Sequence, residues 1–443
     1  MNDKFLTYCF DPSTSTDLWQ DAIRKAVDKD MPLSVLRQLC SPERQVEMYL
    51  QIKAGTYEID TPHVARIPKN ELDSEGRMKY REVYVNNPPN RVLLTVCNNA
   101  LFRLFGDMVH PSCTSYQTGL SCGQTVISMS RRAKDATPHQ VIGWKSDLRK
   151  YFDSVPLQYI DAAFDRVLAR LGGTDALIET IRRYYHSDAF YTDWHHTTLQ
   201  HSYRSLKQGC AVASWLADVV LYPLDAAISQ MDVEYCRYSD DQLCLGPEQQ
   251  RAFDTMRRML QDMQMDINER KLEHITPQTR YKFLGFSLRG QERSFSQSVV
   301  VDIREFVQRE VLRAYRHKDG HWSYPSYKQA RRKLLAYLYN PRGEFSWAQR
   351  VLRVVNSKHD IEVLDRYLMD ALRATITGRR DIGQIIYQRD QPDGCIYRTK
   401  GRHVNANRHK TDTPLEGWLT IRCMQNALHT SRAAYESLLS QIA

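Results

Sequence analysis

Asp240 and Asp241 stand side by side in "CRYSDDQLCL", residues 236–245, and their neighbours have the pattern of a β-strand. Adjacent like charges at a strand turn serve no packing purpose. A hard divalent cation does call for them, because it prefers carboxylate oxygens and a rigid turn presents these without burying an unpaired charge. Asp147, in "GWKSDLRKYFD", closes a second strand-like run that leads directly into a helix. If the two strands lie side by side, Asp147 and Asp240 would hold two metal ions about 4 Å apart, the arrangement used for in-line phosphoryl or nucleotidyl transfer. One ion would activate a 3′-hydroxyl and the other would steady a departing pyrophosphate. The plainer reading of the three acids is helix capping and a charged turn.

The surrounding elements are legible in outline. Val233, Tyr235 and Arg237 alternate with Glu234, Cys236 and Tyr238, and Leu243 and Leu245 continue the return strand, which places Ser239, Asp240 and Asp241 at or near a hairpin tip. Residues 139–148 read as a strand, 156–171 as a helix, 209–230 as helical, 248–264 as a helix and "YKFLGFSL" as a strand. Upstream, residues 1–65 read as short helices, with Ser41 as an N-cap. Residues 66–92 read as two extended segments around the turn "DSEG", and a helix follows in "VLLTVCNNALFRLFGDMV". Beyond residue 300 the pattern is mainly helical, with a polar, basic loop in "YRTKGRHVNANRHKTDTP". Strands carrying helices in this order make an α+β protein.

Composition narrows the class. The 443 residues are 42% hydrophobic and 26% charged, ordinary for a globular chain, and the most apolar run, "AVASWLADVVLYPL", is interrupted by Asp218, so no membrane span is expected. The N-terminus lacks a basic segment followed by an apolar one, so a cytoplasmic protein is expected. The ten cysteines are scattered with no C-x-x-C pair, which suits buried small hydrophobes rather than metal ligands. Net charge is +9, and residues 301–443 carry 25 Lys+Arg against 15 Asp+Glu, while the first 300 carry 36 against 37. A basic surplus confined to one third of the chain suggests a polyanionic partner such as nucleic acid. A solvated helical surface rich in Arg would give the same count.

In their order along the chain these motifs resemble the reverse transcriptases, specifically the prokaryotic, non-retroviral ones of group II introns, retrons, diversity-generating elements and phage-defence systems. The resemblance runs from about Arg66 to Leu288. It implies a right-hand polymerase: an N-terminal helical extension (1–65), fingers (66–138), a palm (139–290) with an RRM-like antiparallel sheet and helices, and a basic helical thumb and C-terminal region (291–443), with finger and palm elements interleaved. "GRMKYREVYVNNPPNRV" is similar to the family's basic hairpin, in which Lys79 and Arg81 would grip the incoming triphosphate, and Arg91 follows at a family spacing. "SYQTGLSCGQTV" stands where the family has Ser-Tyr-Gly-Phe-Arg-x-Gly, without the Phe and Arg.

By the same resemblance, "DLRKYFDSV" makes Asp147 a metal ligand and Phe152 the steric gate that excludes a 2′-hydroxyl, with Asp153 capping the next helix. Gln208 and Gly209 match the motif placed against the nascent base pair, but Ala213 and Ser214 replace its Ser and Pro. "YSDD" makes Asp240 a metal ligand and Asp241 a supporting one. Lys271 in "NERKLEHI" would stand near the leaving pyrophosphate as a general acid or charge stabiliser, and "FLGF" (283–286) resembles the primer-grip turn. Plainer readings exist: Phe152 as a core aromatic, Lys271 and Arg81 as solvated charges, and Gln208–Gly209 as a helix start.

No His-Asn-His nuclease or Cys-pair zinc motif follows, and "ITG" (376–378) and "NALH" (426–429) fit the retron hallmarks poorly. The family most resembled is therefore the bacterial defence-associated reverse transcriptases. That resemblance implies a structured non-coding RNA as template or scaffold, an RNA–DNA duplex, deoxynucleoside triphosphates, and two Mg²⁺ ions with Mn²⁺ as the substitute. The alternatives are a reverse transcriptase of a diversity-generating element and a non-catalytic RNA-binding maturase or scaffold.

Overall fold

Short polar caps and first-turn prolines start the helices that support the first strands. Asp11, Ser41 and Asn87 each accept a backbone N–H from the opening turn of Pro12–Lys25, Pro42–Lys53 and Pro88–Phe105, and each of these helices begins with proline, whose missing N–H costs nothing there. The computed structural model describes residues 2–27, 31–72, 75–116, 122–134, 136–203, 205–313, 315–316, 322–323, 325–340, 347–378, 384–387, 395–398 and 415–442. The turn expected at "DSEG", much of 115–126 and most of the basic loop after Arg398 lie outside these residues. The mixture of helices and small sheets is α+β. Among the described residues no helix is long and apolar enough to cross a membrane.

The chain divides into two compact units, residues 1–119 with 144–272, and residues 120–143 with 273–443. The first holds two sheets. In one, β1 (His63–Leu72) and β2 (Met78–Val85) form an antiparallel hairpin, and β4 (Ala189–Tyr191) with β5 (Leu199–His201) extends it in the order β2-β1-β4-β5. In the other, β3 (Gly143–Asp147), β6 (Glu234–Tyr238) and β7 (Asp241–Leu245) run in the order β6-β7-β3. One apolar core runs from Phe5 to Ile267, joining the N-terminal helices to the helices behind both sheets. Asp175 fastens the ends: its carboxylate accepts N–H groups from Leu177 and Ile178 of its own helix and from Phe5 and Leu6 of the first helix.

In the second unit, Tyr281–Phe283, Phe286–Arg289 and Glu292–Phe295 form an antiparallel meander. Helices follow, among them Gln297–Phe306, Tyr327–Tyr339, Lys358–Thr377 and Ile421–Thr430. Phe306 stacks on Tyr337 with ring centres 4.0 Å apart, and Asp365 caps the helix at Ile421 by accepting its N–H at 2.6 Å.

Three sequence expectations need correcting. "YKFLGFSL" is two strands rather than one, because Leu284 and Gly285 both take positive φ and turn the chain back. The 209–230 stretch breaks into Val212–Val220 and Tyr222–Ile228, the second opening with Pro223. Asp153 is not the N-cap of the next helix: it lies inside Tyr151–Ser154, and that helix starts from Pro156 without a side-chain cap.

Candidate active site

Tyr238 pairs with Asp241 across β6 and β7, so Ser239 and Asp240 form a two-residue turn. Ser239 has φ +56°, the left-handed backbone that such a tight turn requires at its first position. The tip is anchored from below by Arg237, which is fully buried. Its guanidinium pairs in a fork with Asp225 (2.9 and 2.6 Å) and donates to the carbonyls of Ala217, Asp218 and Ser239. Ser115 donates to Asp218 at 2.5 Å and accepts the Ser239 N–H at 3.0 Å. Burial raises Asp218 to about 6, against the pull of Arg237 and Ser115. This network escaped the sequence reading. Its trace was an arginine between Cys236 and Tyr238, with Asp218 and Asp225 seven residues apart in an apolar helical stretch.

Asp147 is the last residue of β3 and is buried. The backbone fixes it between two neighbours: Leu148 N–H donates to the Asp240 carbonyl at 3.0 Å, and Asn268 N–H donates to the Asp147 carbonyl at 2.8 Å. The Asn268 segment delivers Lys271, whose Nζ donates to Asp147 Oδ2. The other oxygen, Oδ1, is buried without a hydrogen-bond partner. Burial raises Asp240, the Asp147 charge raises it further, and Lys271 and Arg81 act in the opposite direction. Asp241 is raised to about 6 by burial and then by Asp240, with Lys145 opposing. For Lys271, burial lowers its pKa, but hydrogen bonding and charge from Asp147, with Asp241 and Asp240, more than offset that and raise it.

These oxygens fit a hard divalent cation. A buried carboxylate oxygen without a partner beside two acids whose ionisation is disfavoured by burial and mutual repulsion is what a cation would relieve. The fit is partial: among the described residues no three His, Cys, Asp or Glu side chains converge into a ready-made metal cage. Substrate phosphates and water would have to supply the remaining ligands, as they commonly do for Mg²⁺.

A second cluster gathers other predicted residues. Arg81, Gln208 and Gly209 line a cavity of about 420 Å³ with Ile67, Pro68, Lys69 and Val83. Gly209 has φ +107°, and a Cβ there would lie 2.8 Å from the Tyr84 carbonyl oxygen. Gln208 accepts the Tyr84 N–H at 2.6 Å, so the loop runs tightly against β2 and only glycine fits. Lys79 lies on the same strand, exposed, outside that lining. Phe152 is half-buried, edge-on to Tyr151, and its carbonyl accepts the Leu206 N–H at 3.0 Å, tying the turn after β3 to the loop that carries Gln208. Arg91 lines a separate cavity of about 140 Å³ on the other side of Gly209. Ala213 is buried, and Ser214 hydrogen-bonds Asn98.

A family model described as reverse transcriptase (RNA-dependent DNA polymerase) matches residues 67–288, half of the 443-residue chain. The chain therefore belongs to the reverse transcriptase family, a class of RNA-directed nucleotidyltransferases. No curated protein matches the sequence. Solved structures similar to it include two polymerases. An apo telomerase from Candida tropicalis, truncated from its C-terminal domain, is 11% identical over 60% of this chain and 60% of that one, with a TM-score of 0.38. The RNA-dependent RNA polymerase of a human picobirnavirus is 13% identical over 72% of this chain and 56% of that one, with a TM-score of 0.41. The chain thus spans less than two thirds of either protein.

Proposed function

We propose that this protein copies RNA into DNA by nucleotidyl transfer at Asp147, Asp240 and Asp241. The observation that carries the reading is the meeting of Asp147, Asp240 and Lys271, which come from three distant parts of the chain, at a carboxylate whose Oδ1 lacks a hydrogen-bond partner. Asp147 and Asp240 would hold Mg²⁺, with Asp241 supporting. Bound there, the ions would supply activation of the primer hydroxyl and charge stabilisation on the phosphates. Lys271 is placed to exchange Asp147 for the leaving pyrophosphate and donate a proton to it. Arg81 and Lys79 bind the triphosphate, Gln208 and Gly209 border the nucleotide, and Phe152 excludes a 2′-hydroxyl. In this reading β1–β2 is the fingers hairpin, the sheet bearing Asp147 and Asp240 is the palm, and the helices after residue 291 are the thumb.

The setting we propose is a bacterial antiviral defence system in the cytoplasm, with a structured non-coding RNA as template. The departures Ala213 and Ser214 support it over an intron enzyme. The test is to purify the protein from cells, sequence the co-purifying RNA and DNA, and supply labelled deoxynucleotides with Mg²⁺. One abundant RNA with complementary DNA is the expected result. Bound RNA with no incorporation under any primer would leave a scaffold instead.

A further inference from the structure

The β4–β5 hairpin, "AFYTDWHHTTLQH" over 189–201, adds two strands to the sheet that carries Arg81. Register fixes what shares a face. His63 stands opposite both Val85 and Tyr191, Ala65 opposite Val83, Ile67 opposite Arg81, and Tyr191 opposite Leu199, so these side chains all lie on one side of the sheet. The opposite side is the buried one, where Tyr84 meets Phe190 edge-to-face at 5.8 Å.

The open side ends in rings. His196, with φ +56°, folds back onto Tyr191, their planes 6° apart and centres 4.3 Å apart, and it also approaches His63 at 5.8 Å. In the turn between the two strands Trp194 is 70% exposed and lies against His195 at 3.7 Å. Nothing in the core asks for a tryptophan there. The hairpin's acid and the one just before it are already engaged: Asp193 accepts from the His195 N–H and the Thr197 hydroxyl, and Asp188 pairs with His201. The face is thus aromatic at one end, and at the other it reaches the cavity lined by Lys69 and Arg81.

We propose that this hairpin is a stacking platform for an unpaired nucleic-acid strand, the template RNA ahead of the nucleotide cavity. One or two bases would rest on Trp194 and the Tyr191–His196 stack while Lys69 and Arg81 meet phosphates. The assignment of the strand as template rests on the function proposed above; the ring platform itself does not. Rings beside cations on one continuous face match a flexible strand whose bases offer flat faces and whose backbone is anionic, and stacking of this kind tolerates any sequence.

Binding of a labelled single-stranded RNA, measured by fluorescence anisotropy without nucleotide or metal, tests the platform directly. Trp194→Ala should weaken binding roughly 5- to 150-fold, the range for losing one base–ring stack, and Trp194→Phe should restore most of it. The double variant Tyr191→Ala/His196→Ala should weaken it further. Thermal unfolding of Trp194→Ala should match the parent, and Leu50→Ala, an exposed apolar residue on Pro42–Lys53, should leave affinity unchanged. A photoreactive uridine placed along the unpaired stretch of a primed template should crosslink to peptide 189–201. Equal affinity for the parent and Trp194→Ala overturns the proposal, as does crosslinking confined elsewhere. If ring-dependent RNA binding holds but no nucleotide is ever incorporated, the polymerase reading falls and the platform stands.

Discussion

In the function proposed above, the tip at Ser239–Asp240 holds metal ions and the open face of the β1–β2 hairpin meets phosphates, yet the two are built in opposite ways. At the tip every support is buried: Arg237 forks onto Asp225, Ser115 bridges Asp218 to the turn, and Asp147 is clamped by backbone bonds on both sides. On the open face Arg81 stands exposed, and on the hairpin's other side Arg66 pairs with Glu82 only at 3.5 Å across solvent. A group that must hold an ion to within a fraction of an ångström needs an over-determined scaffold, whereas a group that follows a moving substrate works better on a loose one.

That contrast can be broken at several points. The largest loss should follow Asp240→Asn, which keeps the shape of the turn but removes a charge: incorporation on primed RNA should fall about a thousandfold, several kcal/mol of transition-state stabilisation. Next is Arg237→Ala, which leaves Asp225 and Asp218 buried and unpaired; urea unfolding should show a loss of about 3–5 kcal/mol. By contrast, Arg66→Ala across the open pair should cost less than about 1 kcal/mol in the same measurement.

Asp218 sharpens the comparison through pH. Its folded pKa of about 6 exceeds the usual carboxylate value of 3.8, so the folded chain holds a proton that the unfolded chain has already released. Its contribution to stability is therefore complete below about pH 4 and is lost as pH rises through 6. Relative to Asp218→Asn, the parent should lose on the order of 3 kcal/mol between pH 4 and 7. Equal pH slopes for the two proteins would place the buried proton elsewhere. A modest effect, confined to nucleotide binding, should come from Gly209→Ala, where a Cβ would lie 2.8 Å from the Tyr84 carbonyl oxygen and push the loop off β2. The nucleotide KM should rise about tenfold, a displacement cost of 1–2 kcal/mol, with little change in unfolding.

Much of the tip was legible because its logic is local. A strand period, two adjacent acids and a turn are readable within ten residues, and Asp147 at the end of another strand gave the second half. Two failures had one cause, contacts that sequence neighbours do not reveal. Arg237 looked like one member of an alternating strand, but Tyr235, Cys236 and Arg237 are all buried, and only distant Asp218 and Asp225 make that tolerable. The β4–β5 hairpin left no trace, since its strands are three residues long and their pairing to β1 is made through His63 and Tyr191 alone. "YKFLGFSL" misled differently: its apolar run hid a turn at Leu284, a residue that seldom takes positive φ.

Lys207 links both halves of the proposed binding surface. Its buried ammonium donates to the carbonyls of Tyr184 and Ser187, where the helix Ala176–His186 ends and the chain sets out toward β4, and the next two residues are Gln208 and Gly209. The aromatic hairpin and the cavity lined by Gln208 and Gly209 therefore hang from a single peg. Any change that loosens this lysine should alter grip on the strand and grip on the monomer together, so two affinities that look separately tunable are mechanically one.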